Sequence, residues 1–535
     1  MARYKQGLLS IALSLAIALF CYGGSIDSFF LADDFDHLLA VKDRGPWALG
    51  LPGNAFFRPA ISASMYLTYL LARFDPVPYH ITNLAIHVAN SVLVALVSWQ
   101  LIASIEGDRR LKPAIAYLSG LTFLVLPCHS ESVAWIAGRS DLIATFFAIA
   151  AFSVYLYNFE KIEFACLSLL LFSLALLSKE SAIIYPEIIF FHQLHLYFSD
   201  RRTTIKKIIF IPLIHQAIFL AYWLLRSQQL GTTVGGYGED VHLEFDIVSA
   251  AINLIRFAAR TFLPPVDNVP PGFWLFVFIL ETILLVAALT ICLRRRRQAT
   301  ATTLVFLIAS FLVSLVPIIN LGISTINTRR ERYLYLPSVF MSIAVCLALS
   351  LLLPKLKPLV LSMAIAIVFW SISLSHLDGN WATAGRISQS VIQSLDGLAG
   401  RDRVFIASLP DRYRGAHIYR IGFHSAYHLF YGENIPPHLY PKLKIVRVNT
   451  VLQPQDTTIA RQTGPRTYRV SPSNPKTTWT QFPPDLNDPS LSAYTTRDRL
   501  GKSYEISFDR WGENDVLLYY HDMGLTMVEE SLETP

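Results

Sequence analysis

The stretch Leu31–Leu38, Leu-Ala-Asp-Asp-Phe-Asp-His-Leu, places three carboxylates and an imidazole within five residues, directly after a long apolar run. Asp33 and Asp34, with Asp36 and His37 beside them, could supply a general base; a positioned group of that kind accelerates a reaction by ~10²–10⁴-fold. Asp33, Asp34 and Asp36 could equally offer clustered oxygens to a hard divalent cation such as Mg²⁺ or Mn²⁺. A solvated turn whose acids cap the next segment accounts for the same residues.

Later breaks in the apolar sequence carry further chemically capable groups: Arg58, His80, His129 with Glu131, Arg139 with Asp141, Lys179 with Glu180, and Arg329-Arg330-Glu331-Arg332-Tyr333. Guanidinium forks bind phosphate oxygens in bidentate fashion, which gives Arg329 and Arg332 one reason to stand together. Contacts to lipid headgroups are another. His129, Glu131 and Asp141 could ligate a metal, although their spacing matches no strong metal motif. Lys179 and Glu180 read as site residues or as an ion pair with each other. His80, Asn83, His87 and Asn90 fall at i, i+3, i+7 and i+10, one helical stripe reaching roughly 15 Å at 1.5 Å per residue. Polar groups at such depth face a cavity or a partner helix; interhelical hydrogen bonding suits the asparagines, and shallow His80 is the better site candidate. Trp135 reads as an interfacial anchor.

The elements that must position these groups are membrane helices. The chain of 535 residues is 53% hydrophobic and 16% charged, with mean hydropathy +0.42, against about 25% charged in soluble domains. A soluble enzyme is excluded, and the net charge of +6 does not point to nucleic acid, because in a membrane protein the place of each Lys and Arg outweighs their sum. The five cysteines lie in or beside apolar runs and residues 377–535 contain none, which argues against a disulfide-stapled module and a Cys-ligated zinc site.

Spans of about 20 residues are expected at 7–27, 79–104, 113–128, 140–158, 163–178, 181–198, 208–226, 273–293, 300–321, 336–353 and 358–376. The first run could be a signal peptide cleaved before Ser25; a retained helix is expected, since acids follow at once and ten further spans need an anchor. Placing Arg3 and Lys5 inside also places inside Arg109, Arg110 and Lys112, Lys161, Arg201-Arg202 with Lys206-Lys207, Arg294–Arg297, and Lys355 with Lys357, as the positive-inside rule demands. The outside segments are then 28–78, 129–139, 179–180, 227–272, 322–335 and the tail. Ala60–Phe74 and Asn253–Leu263 read as helices lying at the interface. In the tail, strand-like runs (Arg403–Ser408, Lys444–Leu452, Tyr504–Phe508, Val516–Tyr520) alternate with Pro-rich breaks such as Pro472–Pro475 and Pro483-Pro484, after helical stretches at Trp381–Leu395 and Gly415–Tyr431. The expected fold is mainly α: a polytopic membrane domain of about 11 transmembrane helices over 1–376, with 28–78 its first extracytoplasmic loop. A small mixed α/β or β-rich extracytoplasmic domain follows over 377–535.

Taken in order, Asp33-Asp34, Phe57-Arg58-Pro59, Tyr79-His80 with Asn83-Leu84 and His87, His129-Ser130-Glu131-Ser132-Val133, Gly138-Arg139-Ser140-Asp141-Leu142, Ser178-Lys179-Glu180, Arg330–Ser338 and Asn380-Trp381 resemble the GT-C superfamily of membrane glycosyltransferases. Within it the pattern is most similar to protein O-mannosyltransferases, especially the transmembrane type with tetratricopeptide repeats. The likeness covers residues 30–381, about two-thirds of the chain. It implies a polyprenyl-phosphate-linked sugar as donor, mannose being the family's sugar, used on the non-cytoplasmic face with inversion at the anomeric carbon. An acid of the first outer loop serves as base in that superfamily, and Asp33 holds the matching position with Asp34 next to it. Arg58, Arg139, Lys179, Arg329 and Arg332 are then the candidates for the donor phosphate, and His80, His129, Glu131, Asp141, Glu180 and Tyr333 for the pocket. A divalent cation is not required by the resemblance, since arginines could replace it.

The tail departs from the family. Eukaryotic relatives carry helical repeats there, so the acceptor, whether protein, glycan or lipid, stays open. The block Leu409-Pro410-Asp411-x-Tyr413-x-Gly415-Ala416 resembles tails of bacterial relatives, and the expected location is a bacterial inner membrane, N-terminus cytoplasmic and C-terminal domain periplasmic. Two rival classes remain. A transporter or flippase of a lipid-linked or anionic substrate should show inverted repeats and broken midplane helices, and neither is clear. A non-catalytic assembly protein would leave the outer acids without a chemical task.

Overall fold

The computed structural model describes residues 2–50, 56–103, 105, 108–199, 203–232, 246–396, 398, 401–432, 443–481, 493–497 and 502–528. The arginines expected inside at Arg201-Arg202 and the break at Pro483-Pro484 lie outside them. Contacts divide the chain into two units, one made of Met1–Gly23 and Arg44–Asp378, the other of Gly24–Asp43 and Gly379–Pro535. The boundary expected at 376/377 therefore misses one piece: residues 24–43 group with the C-terminal residues and not with the helices they adjoin in sequence.

The helices in chain order are α1 (Ala2–Tyr22), α2 (Asp33–Arg44), α3 (Pro59–Ala72), α4 (Val77–Ile102), α5 (Leu111–Val125), α6 (Ser130–Ala134), α7 (Arg139–Asn158) and α8 (Ile162–Leu176). There follow α9 (Tyr185–Phe198), α10 (Ile205–Leu230), α11 (Ile247–Phe262), α12 (Phe273–Arg294), α13 (Gln298–Leu315), α14 (Pro337–Leu352), α15 (Leu356–Gln393) and α16 (Phe423–Tyr431). Each of the eleven apolar runs is helical. Among the described residues six helices are long and apolar enough to cross a membrane, or seven when the bent pair Leu111–Val125 and Pro127–Ala134 is counted as one. The chain is an integral membrane protein.

Local chemistry sets the breaks. Pro127 forces Leu126 into extended backbone (φ −61°, ψ 127°), because the proline ring clashes with a helical predecessor, and the chain bends by 54° there. Gly231 ends α10 in the left-handed region at φ 67°, a conformation that costs glycine little. Asp246 caps α11, accepting from the backbone N–H groups of Val248 and Ser249, so the expected 253–263 helix begins six residues earlier. In the first unit α4, α5, α7 and α14 pack together, α14 buried along nearly all its length. α10 and α12 keep few of their apolar side chains buried, as lipid-facing helices do.

In the second unit β1 (Val404–Tyr413), β2 (Ala416–His417), β3 (Leu443–Val451), β4 (Thr458–Gly464), β5 (Thr467–Pro472), β6 (Trp479–Gln481), β7 (Ala493–Arg497), β8 (Tyr504–Phe508), β9 (Val516–His521) and β10 (Gly524–Met527) form two sheets. One runs in the order β10-β9-β1-β3-β6 with β2 paired to β1; the other runs β4-β5-β8-β7. β1 pairs in parallel with both β3 and β9, and α16 forms part of the crossover from β1 to β3, as parallel pairing requires. Phe405, Ala407, Val446, Tyr468, Val470, Tyr504, Ile506, Phe508 and Leu517 make the core between the sheets. Two expectations change here. Trp381–Leu395 is no separate helix, since α15 runs on unbroken from Leu356. Gly415–Tyr431 begins as strand and turn, with Gly415 at φ 101°, and becomes helical only at Phe423.

Candidate functional site

A cavity of about 450 Å³ opens in the first unit. Its walls come from the start of α7 (Asp141), the break between α8 and α9 (Lys179, Glu180, Ser181, Ile183) and the end of α10 (Phe219, Tyr222, Trp223, Arg226). The end of α13 with the turn beyond it (Ser314, Val316, Pro317, Ile318, Asn320, Leu321) and the approach to α14 (Arg332, Tyr333, Leu336, Pro337) complete it. Of the residues singled out by sequence, Asp141, Lys179, Glu180, Arg332 and Tyr333 line it. Arg58, Arg139, Arg329, His80, His129 and Glu131 do not.

The charges on its rim are paired. Lys179 has extended backbone (φ −162°, ψ 147°), so it and Glu180 send their side chains to opposite sides. Lys179 Nζ donates to Asp141 Oδ2 at 2.6 Å, while Glu180 Oε2 accepts from Arg58 Nη2 at 2.7 Å and Nε at 3.2 Å. The ion pair of these neighbours with each other does not form. Arg226 Nε lies 4.0 Å from the second Glu180 oxygen. Burial works to raise the Glu180 carboxyl, but the Arg58 charge and hydrogen bond, with help from Arg226, outweigh it and hold the group below its ordinary range. Burial draws the Lys179 ammonium down, against the attraction of Asp141.

Arg332 is the most accessible cation on this rim whose partner is buried: its side chain is 23% exposed, that of Glu131 1%. Its Nη1 pairs with Glu131 Oε1 and its backbone N–H donates to Glu131 Oε2 at 3.0 Å. The guanidinium sits over Trp135 at 5.2 Å and Tyr333 at 5.3 Å. Trp135 is accordingly no interfacial anchor; it is buried beneath an arginine, where such stacking is worth about 0.5–2 kcal/mol.

Other candidates serve the scaffold. Arg139 is fully buried; it donates to Asn83 Oδ1 at 2.8 Å, Thr68 Oγ1 at 2.9 Å and the Tyr79 carbonyl at 3.0 Å. Asn83 donates to the Trp135 carbonyl at 3.1 Å, and Asn90 to the Leu142 carbonyl at 3.0 Å and Tyr335 Oη at 3.1 Å. His87 bridges Tyr335 Oη at 2.7 Å and the Leu124 carbonyl at 3.0 Å, so below His80 the polar stripe of α4 is interhelical glue. His80 is itself buried. His129 bonds Ser338 Oγ at 2.8 Å and packs on Phe123 and Tyr335, ring centroids 4.6 Å away in each case. Arg329 is half-buried in a turn closed by Asn327. Among the described residues no group of three or more His, Cys, Asp or Glu side chains could hold a metal ion; His129, Glu131 and Asp141 turn to Ser338, Arg332 and Lys179 instead.

One functional-looking residue and one pairing escaped the sequence reading. Arg226 closes the cavity, and its signal was a guanidinium at the outer end of a span, three residues after Trp223. Arg260 and Glu331, both fully buried, pair with each other, and Ser130 Oγ donates to Glu331 at 2.7 Å. That pair ties α11 to the arginine-rich turn and left no local pattern.

The acids of Leu31–Leu38 belong to the second unit. Asp34 is buried and its Oδ2 accepts from the Leu31 backbone N–H at 2.9 Å, reaching back over the start of α2 as a capping acid does. Asp36 Oδ1 accepts from Ser425 Oγ. Asp33 is half-buried, and among the described residues no group donates to its carboxylate.

No protein-family model matches the chain. Among curated proteins it is 28% identical over 198 residues to human protein O-mannosyl-transferase TMTC4, which covers 31% of this chain and 27% of the relative. It is 30% identical over 195 residues to protein O-mannosyl-transferase Tmtc1 of Drosophila melanogaster, covering 33% and 22%. The chain thus matches only about a quarter of the length of these relatives. Among solved structures it is similar to the oligosaccharyltransferase AglB of Archaeoglobus fulgidus, determined with an inhibitory peptide and a dolichol-phosphate (12% identity, TM-score 0.47, 74% of this chain and 59% of that one). It is also similar to ArnT of Cupriavidus metallidurans bound to undecaprenyl phosphate (10% identity, TM-score 0.45, 94% and 98%). Over about a third of its length, then, the chain is similar to the TMTC protein O-mannosyl-transferases.

Proposed function

We propose that the chain is an integral-membrane glycosyltransferase that moves a sugar from a polyprenyl-phosphate donor to an acceptor hydroxyl. The observation that carries this reading is the cavity of the first unit, with Lys179, Arg226 and Arg332 among apolar walls from Phe219, Tyr222, Trp223, Val316, Ile318 and Leu321. An amphipathic lipid phosphate combines the same two characters, anionic head and apolar chain.

Asp33 takes the proton of the acceptor hydroxyl as its oxygen bonds to the anomeric carbon. The carbon–oxygen bond to phosphate breaks on the opposite face, which inverts the centre and leaves a polyprenyl phosphate. In the first unit Arg332, held by Glu131, is the proposed contact for the lipid phosphate, in the way fixed donors stabilise an oxyanion. An Mg²⁺ or Mn²⁺ ion would depend on Asp33 and on substrate oxygens, because Leu31 and Ser425 engage Asp34 and Asp36. Mannose is the sugar of the relatives named above and is the first to test. The reading places the acids and arginines on the outer face of a bacterial inner membrane, with the N-terminus cytoplasmic.

The test is genetic and chemical. A deletion strain should lose a surface glycan or glycoprotein signal by mass spectrometry, the intact gene should restore it, and Asp33→Asn should not, although it reaches the membrane at normal levels. Restoration by Asp33→Asn would remove Asp33 as base.

A further inference from the structure

Beyond the turn's own hydrogen bonds, C-terminal residues of the same unit fix the backbone around Asp33. The Ala32 N–H donates to the Ile418 carbonyl at 2.8 Å. Ala32 itself is left-handed, at φ 45°, a conformation L-residues keep only where surrounding structure over-determines it. Part of that surrounding structure is Gly422. It stands at φ 83°, and a Cβ there would lie 2.1 Å from the Ala32 oxygen and 2.8 Å from its carbonyl carbon. Three residues on, Ser425 donates to Asp36. Between them Tyr419 lies flat against Phe35, centroids 5.8 Å apart and planes 16° from parallel. Its hydroxyl donates to the Ser388 carbonyl at 2.8 Å, and Ser388 Oγ donates to the Phe30 carbonyl at 2.8 Å. The turn from Phe30 to Asp36 is thus gripped on both sides of Asp33, while the Asp33 carboxylate is the part left ungripped.

We infer that the loop Ile418–Ser425 is the positioning device for the Asp33 carboxylate, with Gly422 and Ser425 as its positioning residues. The task of the C-terminal unit is then to aim the base, whatever the acceptor. A carboxylate displaced by about 1 Å from its productive position can lose on the order of 10²-fold in rate, and a β-carbon at Gly422 demands a displacement of that size. The inference rests on the reading of Asp33 as the base.

The experiment uses the full chain in lipid nanodiscs and in the complemented deletion strain, comparing Gly422→Ala, Ser425→Ala, Ser425→Thr and Asp33→Asn with the natural protein. Hydrogen exchange over residues 28–38 reports the grip. Affinity for undecraprenyl phosphate, as probe, reports the integrity of the first-unit cavity. The restored glycan signal reports transfer. Gly422→Ala should cut transfer at least tenfold and Ser425→Ala several-fold, each with faster exchange over 28–38 and probe affinity unchanged within twofold, and Ser425→Thr should recover most of the loss. Faster exchange with transfer within twofold of the natural protein would overturn the positioning role and leave Asp33 as base untouched. Normal transfer by Asp33→Asn would instead sink the base and this inference with it. If Gly422→Ala is poorly assembled, the Ser425 pair decides.

Discussion

Replacing Arg332 by alanine removes two things at once, and the structure shows how to separate them. The first is the cation on the cavity rim. Loss of one fixed donor to a developing oxyanion costs roughly 10²–10³-fold in rate, about 2.7–4 kcal/mol, and Arg332 is paired with Glu131 where it lines the cavity. The second is the partner of a buried carboxylate. Glu131 is 1% exposed and would lose its ion-pair partner while keeping the backbone N–H of residue 332, at a structural cost of about 1–3 kcal/mol. Arg332→Ala should therefore be both destabilised and slow. Glu131→Gln combined with Arg332→Ala removes the stranded charge: its thermal midpoint in detergent should return toward that of the natural protein, while transfer of the sugar stays depressed by 10²-fold or more. Arg332→Lys should fall between, since it keeps the charge and loses the planar fork. The result that would refute the reasoning is a double variant that regains transfer along with stability; Arg332 would then be a strut for its turn with no part in holding phosphate.

Three further outcomes follow from the same geometry. Arg260→Ala strands the fully buried Glu331 and should cost about 3–5 kcal/mol, read as a lowered thermal midpoint that Arg260→Ala with Glu331→Gln partly restores; an unshifted midpoint contradicts the pairing. The Glu180 carboxyl sits below its ordinary value of 4.5, so its bond to Arg58 stabilises the fold above that pH and the contribution disappears as pH falls through the depressed value. Unfolding midpoints of Glu180→Gln and the natural protein should thus differ at pH 7 and converge in acid, and curves that stay parallel would refute the assignment. At Gly138 a Cβ would lie 2.5 Å from the Ser132 oxygen and 2.8 Å from the Glu131 oxygen, both backbone. Gly138→Ala should cost about 1–3 kcal/mol and disturb the turn that carries Glu131, checked by thermal midpoint and transfer together.

The sequence is most readable where the driving force is local. Each apolar run became a helix because a backbone in lipid must satisfy its own hydrogen bonds, although the span expected at 113–128 ran through Pro127, where the chain bends. The break at Lys179-Glu180 was legible from its charges, and the strand Tyr504–Phe508 from its alternation. Pairings were not legible. Lys179 turns to Asp141 and Glu180 to Arg58 because consecutive side chains on extended backbone diverge, and which acid waits on each side is a tertiary fact. Arg139 looked like a phosphate ligand by residue type, yet Asn83, Thr68 and Tyr79 surround it. The short, polar strands β4, β5 and β10 carry weak alternation, and their pairing is set by the sheet and not by their own composition. The membership of 24–43 in the second unit rests on contacts with residues nearly four hundred positions away, which no local signal encodes.

That separation has a consequence in time. Asp36 and Ser425 are 389 residues apart, and chains are synthesised at about 5–20 residues per second. The acidic turn leaves the ribosome roughly 20–80 s before the loop that fastens it exists, so it waits through the insertion of every intervening helix. A nascent or truncated product ending before Ile418 would carry its helices and its arginines while the contacts of Ile418, Gly422 and Ser425 with the acidic turn are still unmade.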